Sequence, residues 1–263
     1  MFEYFASSVA FAHQSFEEAC QRTARLGLRE IDLWSIQNWC EHLPPQEDTP
    51  DLGPAREILA RHGLGCHALS VYGHPLDRAI RWMPHAVALG AGVMVRGSDK
   101  REMPVAEFAG KLGPAVAEAE RLGIVLAIEN HGHAVIDSIA SMVELCERIA
   151  SPHLGIALAP IHLHNRGEAT AEAIRQLGHR IALFYAWDWG PSANVNWKDP
   201  TEQVPGKGVI SFPPIFQALR DIAYPRPLCL FAHGLEDIPP DAAEAMMRDG
   251  LAFCHACDVA QGG

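Results

Sequence analysis

The sequence predicts an α/β protein in which eight parallel strands alternate with helices and close into a (β/α)8 barrel, the TIM barrel architecture. Eight short apolar runs are spread along the 263 residues, and helix-like stretches lie between them. A glycine ends several of those stretches, at intervals that suit one βα unit. No linker or shift in composition divides the chain, so we expect one barrel domain over residues 1–263.

The predicted strands are near-continuous apolar runs rather than strict alternations of apolar and polar residues. This pattern is typical of parallel strands whose outer face is covered by helices. The eight runs lie at residues 4–8, 30–35, 65–71, 92–96, 125–129, 155–159, 182–185 and 228–232.

The predicted helices carry recognisable start and stop signals. Ser15, with Glu18 three residues later, predicts a capping box before the first helix. Asp137 is the predicted N-cap of a helix over residues 138–149. A glycine suits the left-handed position that follows a helix, and basic residues often precede it. The glycines in such positions are Gly27, Gly63, Gly90 and Gly123.

A doubly wound parallel sheet is the alternative architecture. That fold carries a glycine-rich phosphate-binding loop after its first strand, and no such loop follows residues 4–8. Two segments, residues 37–54 and 188–208, are longer than the other connections between predicted strands and helices. Because the loops after the strands carry the site in a barrel, both segments are predicted lids.

The charge balance disfavours nucleic acid as a partner. The chain has 32 Asp and Glu residues against 21 Lys and Arg, and a net charge of −11 repels phosphate backbones. No run reaches the about 18 apolar residues that a membrane span needs. The first residues lack the basic segment of a signal peptide, and the seven cysteines then favour reduced thiols. We therefore expect a cytoplasmic protein without a membrane partner.

Polar residues occur where the predicted strands end, which is where barrel enzymes carry their functional groups. Glu129 is the clearest signal, because it ends the apolar run IVLAI and is held by a rigid strand. A desolvated carboxylate there suits a general base or a metal ligand; the alternative is a structural ion pair with a neighbouring Arg or Lys. The other polar and aromatic residues near strand ends are Trp34, Ser35, Tyr72, His74, Arg96, Asn130, His131, His162, His164, Tyr185, Asp188 and His233.

Several of these side chains have a structural alternative to substrate binding. Arg96 suits a phosphate or carboxylate group and equally suits a salt bridge to Glu129. Tryptophan rings near the strand ends suit stacking on the apolar face of a sugar, or packing within a lid. The tryptophans in question are Trp34, Trp39, Trp187 and Trp189. We expect His133 and His164 to be exposed loop residues.

Three segments resemble one family of barrels. AIENH at 127–131 resembles the strand-five motif of the xylose isomerase-like sugar isomerases and epimerases, and ALAPIH at 157–162 resembles their strand-six motif. VPGKG at 204–208 resembles the approach to strand eight in ketose 3-epimerases. The resemblance implies a divalent metal, often manganese, held by two Glu, one Asp and one His. It also implies that the two Glu act as acid and base on opposite faces of a sugar carbon.

Position by position, the resemblance covers only part of this metal site. Glu129 matches the first carboxylate, and His162 matches a histidine that contacts a substrate oxygen beside the metal. Three of the four ligand positions carry other residues. They hold Ala159 in place of Asp, Tyr185 in place of His, and Phe231, or Ala232 with a one-residue slip, in place of the second Glu.

A rebuilt metal site is one way in which a cofactor could be retained. Glu129, His162, Asp188 and His233 all lie at or just beyond predicted strand ends. Together they offer two carboxylates and two imidazoles, a set that suits zinc or manganese. The cofactor is otherwise unknown, because one carboxylate alone does not hold such an ion.

Two functional hypotheses follow. The first is an isomerase or epimerase that moves a proton on a small sugar, sugar phosphate or keto compound, with Glu129 as base and His162 or Asp188 as its partner. The second is a barrel that has lost catalysis and binds carbohydrate or regulates. An apurinic endonuclease of the same superfamily is disfavoured by the negative charge, and a homo-oligomer is left open. Predicted substrate contacts are Trp34, His74, Arg96, His131, Tyr185, Trp187 and His233.

Overall fold

The computed structural model describes residues 1–259 and contains a closed ring of parallel strands. The strands are β1 (Tyr4–Ser7), β2 (Glu30–Ile36), β3 (Cys40–Glu41), β4 (Gly65–Ser70), β5 (Val93–Gly97), β6 (Val125–Glu129), β7 (Leu154–Leu158), β8 (Ile181–Ala186) and β9 (Leu228–Leu230). Neighbours around the barrel follow the order β1-β9-β8-β7-β6-β5-β4-β2, and pairing of β1 with β2 closes the ring. The short strand β3 runs antiparallel, against the end of β2.

The predicted (β/α)8 barrel is confirmed. Each predicted strand coincides with an observed barrel strand to within two residues at either end. The closed ring excludes the doubly wound sheet, which has open edges. The short strand β3 was not predicted; it forms a small hairpin with β2 at the start of the segment 37–54.

Helices cover the outside of the barrel. They are α1 (Phe16–Arg25), α2 (Gly53–His62), α3 (Leu76–Leu89), α4 (Val105–Leu122), α5 (Ile139–Arg148), α6 (Pro160–Arg166), α7 (Thr170–Leu177), α8 (Pro191–Val195), α9 (Phe212–Asp221) and α10 (Pro240–Val259). Gly63, Gly90 and Gly123 end α2, α3 and α4 in the left-handed conformation, as predicted. Within residues 1–259, no helix is both long and apolar enough to cross a membrane.

The two predicted helix starts have different outcomes. Ser15 and Glu18 form the predicted capping box, with each side chain accepting from the other residue's backbone N–H. The predicted cap at Asp137 is wrong by one residue, because Ser138 is the N-cap of α5. Asp137 instead binds two arginines at a cavity described below, so its carboxylate is not available to cap the helix.

Each barrel strand separates two apolar layers. Val93 and Val95 of β5 point into the barrel, whereas Met94 between them packs under the helices. The same alternation holds along β6, where Ala127 faces inward and Leu126 faces outward. The alternation therefore decides which side chains at the strand ends face the interior of the barrel.

Candidate active site

Strand alternation brings Glu129 and Phe231 to the inner side of the barrel. Glu129 lies two residues after Ala127, which belongs to the interior layer. Phe231 is itself part of that layer, and Ala232 packs outside the barrel. The eighth barrel strand is β9, and at its end Phe231 rather than Ala232 therefore occupies the inward position.

Glu129 is a buried carboxyl at the end of β6. Its residue is 6% exposed, and burial raises its pKa to about 7, against the opposing effects of the His131 charge and the Tyr72 hydroxyl. Oε1 of Glu129 lies 4.0 Å from Nε2 of His162. Among the described residues this imidazole is the basic group near the carboxyl, and no Arg or Lys takes that place. The carboxyl can therefore exchange a proton near neutral pH.

His162 connects Glu129 to a large cavity. Its side chain lines the cavity, while its Nε2 is buried beside Glu129 and has no hydrogen-bond partner within residues 1–259. The ring of His131 lies over it, with the two ring centroids 4.2 Å apart. Burial, and then the charges of neighbouring histidines, hold the pKa of His162 well below its usual value. The imidazole is therefore neutral.

The cavity has a volume of about 930 Å³ and suits a sugar-sized ligand. Its lining combines tryptophan rings, histidines and a small group of charged residues. Such a combination offers flat apolar faces and hydrogen-bonding groups to one ligand. The lining residues are Trp39, Arg101, His131, Gly132, His133, Asp137, Ile161, His162, Asn165, Arg166, Trp187, Trp189, Trp197 and His233.

The structure brings only part of the predicted substrate-binding set to this cavity. Three of the seven predicted substrate contacts line it, as do the predicted catalytic residue His162, three further tryptophans, and His133, which is exposed as expected. His164 is also exposed, as expected, and does not line the cavity. The three predicted substrate contacts that line it are His131, Trp187 and His233.

Trp34 and Tyr185 lie inside the barrel, in a group of rings that we call the aromatic plug: Trp34, Tyr72, Tyr185 and Phe231. Ring centroids are 4.7 Å apart for Trp34 and Tyr72, and 4.9 Å apart for Tyr185 and Phe231. The hydroxyls of Tyr72 and Tyr185 are hydrogen-bonded at 2.9 Å. The plug therefore fills the inner side of the strand ends, which the family resemblance assigns to metal ligands.

His74 lies in a different cavity from His162. This second cavity has a volume of about 540 Å³ and is also lined by Tyr72. Burial lowers the pKa of His74 to about 4, so its ring is neutral. The structure thus does not bring His74 to the cavity at His162, contrary to the expectation of a single binding site.

Arg96 points away from the barrel interior. It lies between Val95, which faces inward, and Gly97, and its partner across the sheet is Ile128 rather than Glu129. Its Nη2 lies 3.8 Å from Asp99, and burial lowers its pKa. The predicted salt bridge to Glu129 is absent from the described residues, and Arg96 does not line the cavity.

Asp188 is occupied by the polypeptide backbone. Its two carboxylate oxygens accept hydrogen bonds from the N–H groups of Trp189, Gly206, Gly208 and Ile210, at 2.8 to 3.0 Å. Its residue is 1% exposed. These contacts hold both ends of the segment 188–208 together, and they leave the carboxylate little capacity to act on a ligand.

Asp32 is a buried carboxyl that sequence reasoning missed. Oδ1 accepts from the Ser70 hydroxyl at 2.7 Å, and Oδ2 accepts from the Trp34 indole at 2.5 Å and from Ser7 at 3.4 Å. Burial raises its pKa to about 7, against the effect of these hydrogen bonds. The sequence does contain a signal for this residue. Asp32 is a charged residue inside the predicted strand EIDLWS, and it lies two residues before Trp34, which faces the barrel interior.

The two raised carboxyl pKa values predict how stability changes with pH. A folded-state pKa of about 7 for Asp32 and Glu129 contributes stability that is fully present below their ordinary pKa values of 3.8 and 4.5, and this contribution is lost as the pH rises through 7. Asp32→Asn and Glu129→Gln cannot ionise. Each is expected to reduce the fall in unfolding free energy between pH 5 and pH 8 by about 2–3 kcal/mol. Urea unfolding at both pH values measures this, and an unchanged pH dependence would contradict the raised pKa values.

The described residues do not fit the family's metal. Within residues 1–259, no three His, Cys, Asp or Glu side chains are grouped so that they could share an ion. The set Glu129, His162, Asp188 and His233 therefore does not converge, and the rebuilt site proposed from the sequence is not formed. The three replaced ligand positions hold a methyl group, a phenol and a phenyl ring, and the last two pack together in the aromatic plug.

Comparisons with known proteins agree with this fold. Residues 20–257 match the family model described as xylose isomerase-like TIM barrel. A stretch of 109 residues is 28% identical to D-psicose 3-epimerase of Enterocloster bolteae, covering 40% of this chain and 33% of that relative. The match thus spans about a third of the relative's length.

Two solved structures have the same fold over nearly the whole chain. A D-psicose 3-epimerase solved in the presence of D-fructose superposes with a TM-score of 0.75 at 18% identity, covering 100% of both chains. An L-ribulose 3-epimerase gives a TM-score of 0.75 at 18% identity, covering 99% of this chain and 95% of that one. At such identities the likeness shows the fold alone. The family match and the barrel together show that this chain belongs to the xylose isomerase-like TIM barrel family.

Proposed function

We propose that this protein is a metal-independent isomerase that moves a proton between adjacent carbons of a small hydroxy-carbonyl compound of the sugar class. The observation that carries the proposal is the pair of Glu129 and His162. A carboxyl with a pKa of about 7 lies 4.0 Å from a neutral imidazole, and that imidazole lines a cavity of about 930 Å³. Ionisable groups tuned in this way are typical of acid–base sites.

His162 is the proposed catalytic base, since it lines the cavity and Glu129 does not. It takes the proton from the carbon beside the carbonyl, the C–H electron pair forms a carbon–carbon double bond, and the carbonyl pair moves to oxygen. Ionised Glu129 stabilises the imidazolium that results. The 4.0 Å separation exceeds a hydrogen bond, and such contacts commonly shorten when substrate binds. Return of the proton to the neighbouring carbon, with transfer of a hydroxyl proton between the two oxygens, completes the shift.

A single acid–base pair supports isomerisation rather than epimerisation. Inversion at one carbon needs a proton donor on the face opposite to the base, whereas a shift between neighbouring carbons returns the proton on the same face. The position of the family's second Glu holds Phe231, which has no proton to exchange. Asp137, the acidic residue of the cavity lining, is already bound to two arginines.

Exchange with heavy water tests the proposed reaction. The protein is incubated in D2O with ketoses, aldoses and their phosphates, and the products are followed by NMR. We expect deuterium at the carbon beside the carbonyl together with the matching aldose or ketose. Inversion of one carbon without a shift of the carbonyl would contradict isomerisation, and the absence of exchange in every compound would contradict proton transfer.

Removal of metal ions is expected to leave the reaction rate unchanged within about twofold. The reason is the donor set, since Ala159 and Phe231 offer no ligand atom and the Tyr185 hydroxyl binds Tyr72. The measurement compares protein dialysed against EDTA with protein supplied with Mn²⁺ or Zn²⁺. A rate that falls with EDTA and returns with one of these ions would contradict the metal-independent mechanism.

A carbohydrate-binding barrel without turnover is the second candidate. The aromatic plug favours it, because Trp34, Tyr185 and Phe231 occupy the inner strand ends and Glu129 is almost wholly covered. The two functions differ in one readout. A sugar that raises the melting temperature but exchanges no deuterium would favour binding over isomerisation.

The cellular location and the binding partners of the protein also belong to this proposal. We propose a cytoplasmic protein whose partner is a small sugar or sugar phosphate rather than nucleic acid, which the net charge of −11 repels. Association into a homo-oligomer is open to a direct measurement of mass in solution.

A further inference from the structure

We propose that the ligand of the cavity at His162 carries an anionic group, a carboxylate or a phosphate, which Arg101 and Arg166 bind. This inference names the substrate class of the proposed function. It rests on that function for the reaction, but the binding it describes can be measured without turnover.

Two guanidinium groups meet at one carboxylate oxygen in the cavity lining. Oδ2 of Asp137 lies 2.9 Å from Nη1 of Arg166 and 3.0 Å from Nη2 of Arg101. Asp137 is 6% exposed, so it is a fixed anchor for both arginines. All three residues line the cavity. The arginines come from separate segments, one after β5 and one at the end of α6, and Asp137 holds them together.

The positive charge at this group exceeds the negative charge in the cavity lining. Arg166 has a second partner, Glu168, whose Oε1 lies 3.1 Å from Nε. Glu168 also accepts from the backbone N–H of Ile139, and it does not line the cavity. The lining thus presents two guanidinium groups and a single carboxylate, in a chain whose net charge is −11. The side chain of Arg101 is 54% exposed and keeps N–H groups for a ligand.

The position of Arg166 relates the anion site to the proposed base. His162 and Arg166 are four residues apart on α6, so their side chains share one face of the helix with Cβ atoms about 5–6 Å apart. An anionic group held by Arg166 therefore lies within a few bonds of a carbon that His162 can reach. A neutral sugar would leave these oriented donors without a matching group.

Guanidinium groups bind carboxylates and phosphates through paired N–H donors. For this reason we infer a ligand that carries a carboxylate or a phosphate. Because Asp137 already orients both arginines, little side-chain freedom is lost when the anion binds. The lining histidines add further hydrogen-bonding groups for the hydroxyls of the same ligand. The site therefore suits a sugar acid or a sugar phosphate better than a free sugar.

Calorimetric titration with three probes tests the proposal on the full chain. The probes are D-fructose, D-gluconate and D-fructose 6-phosphate, each at low and high salt. We expect at least one anion to bind about tenfold or more tightly than D-fructose, with an advantage that shrinks as salt rises. The two anions also separate a carboxylate site from a phosphate site.

Single substitutions test whether the preference for an anion depends on the two arginines. Arg101→Gln is expected to weaken the anion by about tenfold and to change D-fructose binding less than twofold. Arg121→Gln is the matched control, since Arg121 lies on the exposed surface of α4 and pairs with Glu118. Glu129→Gln is expected to keep the preference for the anion, so that failure of the proposed catalysis does not obscure the binding result. Equal affinity for all three probes, no binding of either anion, or an equal loss for D-fructose in Arg101→Gln would each overturn the proposal.

Discussion

Glu129→Gln is expected to lower kcat of the proton transfer by about 10²–10⁴-fold. Glutamine preserves the shape of the side chain but cannot ionise, so the imidazolium formed on His162 loses the counter-charge that lies 4.0 Å away. Glu129 does not line the cavity, and substrate affinity is therefore expected to stay within about threefold of the parent value. Steady-state kinetics on the substrate identified by deuterium exchange measures both quantities.

The matched control is Asp32→Asn. Asp32 is also a buried carboxyl with a pKa of about 7, but its oxygens bind Ser70, Trp34 and Ser7 rather than a group in the cavity. The single oxygen of asparagine can accept from the Trp34 indole while its NH2 group donates to the Ser70 hydroxyl oxygen, and kcat is expected to change by less than about threefold. Equal losses of kcat in the two variants would show that burial of a carboxyl, rather than its place beside His162, controls the rate.

Asp188→Ala is expected to lower the free energy of unfolding by about 3–5 kcal/mol. The change leaves four backbone N–H groups, those of Trp189, Gly206, Gly208 and Ile210, without the charged acceptor that they share. The space left by the side chain is enclosed, because Asp188 is 1% exposed. Denaturant unfolding gives the loss of stability, and amide hydrogen exchange shows whether it begins in the segment 188–208.

Asp199→Ala provides the comparison within the same segment. Asp199 accepts from the backbone and hydroxyl of Thr201 near the surface, so its removal is expected to cost about 1 kcal/mol. A similar small cost for Asp188→Ala would contradict the structural role of Asp188. It would then return this carboxylate to the set of acid–base candidates.

The barrel was predictable because its signals are local. Each strand is a short apolar run, and Gly63, Gly90 and Gly123 mark helix ends by a conformation that other residues rarely adopt. The N-cap of α5 was displaced by one residue for a reason outside that segment. Asp137 is a good cap by itself, yet two arginines from other parts of the chain bind its carboxylate.

The candidate site was only partly predictable, because strand ends identify residues near the site but not the direction of every side chain. The strand ends point to Glu129 and His162, and these two side chains do lie together. A strand end also points to Arg96, but the alternation of β5 turns its side chain away from the barrel interior. Asp188 follows a strand end as predicted, yet its carboxylate is hydrogen-bonded to the backbone of a loop about twenty residues further along the chain. Such long-range partners leave no pattern in the local sequence.

Titration of the Glu129 carboxyl by ¹³C NMR tests the central claim most directly, because it needs no substrate. We expect an apparent pKa of about 7 for Glu129, with a neutral His162 ring throughout that titration and no change on adding Mn²⁺ or Zn²⁺. A carboxyl that titrates near its ordinary pKa of 4.5 would contradict the proposed pair. Loss of the free carboxyl signal on adding either ion would instead show a metal site at this position.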